Sequence, residues 1–158
     1  MLELSSKKLV ATFSPLGAKI VAVHVDGVDV VVGAGSDAEA LASDAFTGSV
    51  TGRYAGRITD ARFMLDGREV RLVPSLGADQ LHGGPVNFCN TVWNVAEVPD
   101  GLRFTLRSPD RAQHYPGAMA VSATYRLVDH VLSLSLWATT SKPPGINRPN
   151  PPSLPPAR

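Results

Sequence analysis

Apolar residues in this chain recur at every second position, and that period limits what it can fold into. In "LRFTLR", Leu102, Phe104 and Leu106 alternate with Arg103, Thr105 and Arg107. In "MAVSATYRL", Met119, Val121, Ala123, Tyr125 and Leu127 alternate with Ala120, Ser122, Thr124 and Arg126. In "LSLSLW", Leu132, Leu134 and Leu136 alternate with Ser133 and Ser135. Successive side chains of a strand point to opposite faces, so each pattern predicts a strand with one buried and one wetter face. The helical period of 3.6 is almost absent. Its one candidate is the short, alanine-rich "DAEALASDAF", residues 37–46.

Two Asp-Gly pairs predict how these strands connect, because both residues tolerate the positive φ angles of tight hairpins. Folding at Asp26-Gly27 sets Val25 opposite Val28 and Val23 opposite Val30, with His24 opposite Asp29 on the other face. Folding at Asp66-Gly67 brings Ala61, Phe63 and Leu65 to the face of Val70 and Leu72. Alternation and turn chemistry agree, and together they predict an all-β, antiparallel β-sandwich built of sequential hairpins. A chain of 158 residues suffices for one such domain. Seven of the 13 prolines fall in residues 143–158. Proline cannot donate to a ladder, so the expected division is a folded unit over 1–142 and an extended, disordered tail over 143–158.

The charge balance narrows the classes of partner. A net charge of +1 gives no electrostatic case for nucleic acid or an anionic membrane. No apolar run approaches a bilayer span, and "MLELSSKKLVATF" lacks the apolar centre of a secretory signal. The single cysteine, Cys89, cannot form an internal disulfide, which fits a cytoplasmic protein.

Candidate chemistry is sparse. "VVVGAGSDA", residues 30–38, has the outline of a dinucleotide turn, but its strand is a hairpin arm, so a plain loop is expected. The four histidines, His24, His82, His114 and His130, lack ligand spacing, and no metal site is expected. Cys89 reads as a small buried residue with no base beside it. "TGRYAGRI", residues 51–58, sets Arg53 and Arg57 about Tyr54, between Gly52 and Gly56. Arginine offers fixed donors to hydroxyl or carboxylate oxygens, and glycine allows close approach. "DQLHGG", residues 79–84, sets His82 before two glycines. That histidine is a proton-transfer group, a ligand or a turn residue, and the residues alone leave the choice open. The bottom-up reading reaches a polar site at Arg57 and His82.

At these residues the chain resembles the aldose 1-epimerase (galactose mutarotase) family. The family's Gly-Arg-Tyr-Ala-Asn-Arg-Ile stretch, Leu-Asp-Gly hairpin and Leu-His-Gly-Gly turn read here as "GRYAGRI" at 52–58, "FMLDGREVRL" at 63–72 and "LHGG" at 81–84. "SPDRAQHYPGAMAVSATYRL" at 108–127 is similar to its Ser-Pro-Asp…Tyr-Pro-Gly strand pair, and "GAKIVAVHVDGVDVVVGAG" to its opening hairpin. The resemblance implies a galactose mutarotase-like sandwich and interconversion of the α and β anomers of free aldoses of the galactose or glucose class. It implies no cofactor or metal. By motif, Arg57 matches a sugar-binding arginine. His82 matches a histidine that contacts the sugar and supports catalysis.

The departures are specific. Gly56 replaces the family's asparagine. The family continues from Lys-Pro-Thr-Pro-Ile-Asn into Asn-His-Ser/Thr-Tyr-Phe-Asn, which holds an acid histidine; here "SKPPGINRPNPPSLPPAR" has Pro151 at that place. The later aspartate and base glutamate of the family have no counterpart. The expectation is therefore a truncated member, impaired or inactive alone. The alternative is a non-catalytic carbohydrate-binding or interaction module of the same fold.

Overall fold

The computed structural model describes residues 1–31, 36–42 and 46–142. The Pro-rich stretch 143–158 and residues 32–35 of the glycine turn lie outside the described residues. Of the expected helix over 37–46, the described part is α1 (Asp37–Ala42).

Two four-stranded antiparallel sheets form the body, and each follows chain order. The first runs β1 (Leu2–Ser5), β2 (Leu9–Ser14), β3 (Lys19–Val25) and β4 (Val28–Asp29). The register sets Val25 opposite Val28 and His24 opposite Asp29, as the Asp26-Gly27 turn dictates. Both turn residues take positive φ, 48° and 83°. Four short strands follow as two separate ladders. β5 (Arg57–Ile58) pairs with β8 (Gln80–Leu81), and β6 (Arg62–Leu65) pairs with β7 (Arg68–Arg71). The second large sheet contains β9 (Asn94–Val98), β10 (Gly101–Ser108), β11 (Met119–Val128) and β12 (Val131–Thr140), in the order β12-β11-β10-β9.

The alternation places its apolar half between the sheets. Phe13 of β2 meets Tyr125 of β11 at 4.7 Å between ring centroids, and Phe104 of β10 stands edge-on to Tyr125 at 5.7 Å. All three are fully buried, each contributing about 1.5–3 kcal/mol of apolar burial. The Tyr125 hydroxyl cannot be buried unpaired, and it donates to the Ala18 carbonyl at 2.9 Å, tying the second sheet to the first. Not every apolar face is covered. Val25, Val28 and Val30 share the predicted face of the first hairpin yet are 38%, 65% and 48% exposed, and only Val23 on that face is buried. Val25 and Val30 line an apolar groove of about 350 Å³ with Leu9, Val23, Leu132 and Leu134.

A second, smaller core lies under the short ladders. Ala61, Leu72 and Tyr115 are buried, with Tyr54, Ile58, Phe63 and Val70 packed on them. The Asp66-Gly67 hairpin supplies Ala61, Phe63, Val70 and Leu72, so this face also follows from the sequence pattern. This second core is the platform of the site described next.

Candidate functional site

Arg57 and His82 come together through the β5–β8 ladder. Arg57 pairs with Leu81, and on the next rung the His82 amide donates to the Gly56 carbonyl at 2.9 Å. The reciprocal backbone bond is replaced. The Gly56 N–H donates instead to the His82 ring at Nδ1, 3.1 Å away. His82 reaches that amide because its backbone leaves the strand conformation at φ 50°. The ring is half-buried, and Phe46 stands edge-on to it at 5.1 Å. Burial holds the imidazole pKa below its ordinary value of 6.5.

Two glycines let the turn approach this closely. A Cβ on Gly83, whose φ is 96°, would lie 2.0 Å from the Gly52 carbonyl oxygen, closer than any side chain allows. "LHGG" therefore packs directly against the backbone of "GRYAGRI". Asn87 fixes the far end of the turn, donating to the Gly84 carbonyl at 3.0 Å while its Oδ1 caps the amides of Cys89 and Asn90.

The two arginines of "GRYAGRI" have different fates. Arg53 is buried, its guanidinium donating to the Ser108 hydroxyl (2.9 Å) and to the carbonyls of Ser108 (3.0 Å), Pro109 (2.6 Å) and Gly117 (2.6 Å). It is a structural clamp on the 108–117 loop. Arg57 is exposed, with Asp79 as its ion partner at 3.9 Å. The Asp79 carboxylate also accepts from the Asp60 amide at 3.0 Å. Arg57 thus keeps free donors at the surface, beside a carboxylate that sequence reasoning did not single out. The signal was available, since Asp79 stands three residues before His82, but nothing in that spacing names Arg57 as its partner. Arg57 and His82 make no hydrogen bond to each other among the described residues.

The other candidates lie elsewhere. Asp110 accepts from the Gly117 amide at 2.5 Å and pairs with Lys142 at 3.0 Å, so it is already engaged. Those two partners also hold its carboxyl below the usual range. Glu97 sits on β9, opposite Leu102. Cys89 is buried, and desolvation pushes its thiol up to about 12, a poor nucleophile. Among the described residues no group of three His, Cys, Asp or Glu side chains is placed to hold a metal ion, and no helix is long and apolar enough to cross a membrane.

A family model described as aldose 1-epimerase matches residues 1–147. The chain belongs to that family. Aldose 1-epimerase from Escherichia coli K12 is 41% identical over 108 residues, covering 67% of this chain and 31% of its own length. Galactose mutarotase from Sus scrofa is 33% identical over 153 residues, covering 94% of this chain and 45% of its own. Among solved structures, an aldose epimerase homologue from C. elegans superposes with a TM-score of 0.83 at 28% identity, over 92% of this chain and 47% of that one. Galactose 1-epimerase from Lactobacillus acidophilus superposes with a TM-score of 0.78 at 25% identity. The fold is thus the galactose mutarotase-like sandwich expected from the motifs. The chain spans less than half the length of these relatives.

Proposed function

We propose that this chain binds a free aldose of the galactose or glucose class at Arg57 and His82, as part of an aldose 1-epimerase site. The single observation that carries the reading is the shared ladder. Two polar side chains of the family's two site motifs stand on adjacent rungs, one with free donors at the surface and one with its ring fixed by a backbone amide.

The reaction proposed for the whole site is proton transfer. A base removes the anomeric hydroxyl proton while an acid protonates the ring oxygen, the bond from C1 to that oxygen breaks, and the open chain carries a carbonyl. Re-closure on either face gives either anomer. Two groups of opposite protonation state are required. Pro151, at the place of the family's acid histidine, offers no proton. Binding is therefore expected to outlast rate acceleration in this chain.

Polarimetry on freshly dissolved α-glucose and α-galactose, together with titration calorimetry, tests both parts. The expected result is saturable sugar binding with mutarotation close to the buffer rate. Binding weakened about tenfold or more by Arg57→Ala and by His82→Ala supports the site, since each removes a ligand hydrogen bond. Saturable binding unchanged by both substitutions removes the assignment. Mutarotation well above the buffer rate shows that another group replaces the histidine.

A further inference from the structure

We infer that His82 serves this site as a hydrogen-bond donor through Nε2–H and not as a base. The inference rests on the sugar-site reading for its ligand, but its chemistry follows from the Gly56 amide alone. A neutral imidazole has one N–H and one lone pair in the ring plane. A backbone N–H can only donate, and Gly56 donates to Nδ1 at 3.1 Å. The ring lone pair is therefore spent inside the protein, and the proton is on Nε2. A hydroxyl partner could reverse its hydrogen bond, whereas a backbone amide cannot. The fixed tautomer is as rigid as the ladder that holds it, because the His82 amide is itself bonded to the Gly56 carbonyl.

The cation is disfavoured by the same contact. A proton on Nδ1 would face the Gly56 N–H head-on, in a half-buried site beside the Phe46 ring. The charged groups flanking the ladder are Arg57 and its partner Asp79, which are paired to each other at 3.9 Å. Neither makes an ion pair with the imidazole.

The consequence concerns which sugar atom the pair recognises. Arg57 presents only donors, and so does His82 in this tautomer. Together they address an oxygen that accepts hydrogen bonds, such as the ring oxygen on which negative charge grows as the bond to C1 breaks. They cannot take the anomeric proton. That base must be another group of the complete site, and His82 is a donor that stabilises the ring-opened side of the reaction.

Long-range proton–nitrogen NMR of the full chain, with the His82 signals assigned by their loss in His82→Gln, reads the tautomer directly and needs no sugar. The expected spectrum has Nδ1 as an acceptor and the proton on Nε2 at neutral pH. A proton on Nδ1, or a cation at neutral pH, overturns the inference. Sugar titrations then compare His82→Gln, which keeps a terminal N–H donor, with His82→Glu, which offers only acceptors. Both carry the same backbone strain at φ 50°, so their difference reports hydrogen-bond polarity. The Glu variant is expected to bind aldose at least about tenfold more weakly than the Gln variant. Equal affinities, or the reverse order, overturn the donor role. An Nε2–H spectrum combined with no saturable sugar binding by the unaltered chain locates the failure in the sugar-site reading instead.

Discussion

The buried hydroxyl of Tyr115 donates to Oε1 of Gln80, and this contact fastens the 108–117 loop to the strand that carries the site. Gln80 is also paired with Ile58 across the ladder, and its Nε2 donates to the Val73 carbonyl at 2.9 Å. Its side-chain amide thus has a partner at each end. Tyr115→Phe keeps the ring in the smaller core but strands a buried carbonyl oxygen. The expected loss of stability is about 1–3 kcal/mol, measured by urea unfolding. A change near zero would show that water or a rearranged Gln80 replaces the hydroxyl.

Arg53 makes four hydrogen bonds from a buried position, and its planar guanidinium is the only side chain that can serve all four directions. Arg53→Lys keeps the charge but loses the fork. It is expected to lower stability by about 3 kcal/mol, because bonds to an ionised group are worth about 1.5–3 kcal/mol each and a lysine can keep only part of the set. Arg57→Lys, on the exposed pair with Asp79, is expected to change stability by less than about 1 kcal/mol. Equal losses at both positions would contradict the division of labour between the two arginines.

Gly83→Ala is expected to disrupt the docking of the two motifs. The added Cβ would meet the Gly52 carbonyl at 2.0 Å, and the backbone there has φ 96°, which side chains strain to adopt. Gly67→Ala provides the control, since its φ is also positive, at 75°, but its Cβ would meet nothing within 4 Å. Thermal unfolding should drop much further for Gly83→Ala than for Gly67→Ala. Equal drops would mean that backbone strain alone, and not the close approach, sets the cost.

The depressed pKa of His82 has a signed consequence for stability. Burial favours the neutral ring in the folded chain, so as pH falls the unfolded chain takes up this proton first. The contribution is fully present above the ordinary value of 6.5 and is lost as pH falls from there through the lower folded value. His82→Gln should therefore make stability decline less steeply between about pH 7 and about pH 5, read from urea midpoints. An unchanged slope would mean that the ring is protonated equally well in both states.

Much of this architecture can be read from the chain before any coordinates. Leu102, Phe104 and Leu106 declare their buried face because a strand's side chains must alternate. Asp26-Gly27 and Asp66-Gly67 declare their turns because few other pairs tolerate two positive φ angles, which both turns adopt. The site is less legible, and the reason is range. Arg53 and Arg57 look equivalent in "GRYAGRI"; only partners more than fifty positions away, at Ser108, Pro109 and Gly117, separate the clamp from the surface donor. Asp79 is visible as a carboxylate but not as the partner of Arg57. The Gly56 amide that fixes His82 is invisible in principle, since every residue except proline has one.

The matching of strand order to chain order in both large sheets bears on how the molecule comes to exist. Each sheet is assembled from neighbours in sequence, one within residues 2–29 and the other within residues 94–140. Joining consecutive strands closes only short loops, which is the inexpensive part of β-sheet formation. The slow encounter is the meeting of the two finished halves, sealed where Tyr125 reaches Ala18 across 107 positions of chain. The small ladders with Arg57 and His82 lie in the sequence between those halves. The sugar site is therefore a hinge-point of assembly, completed only when the two meanders have found one another.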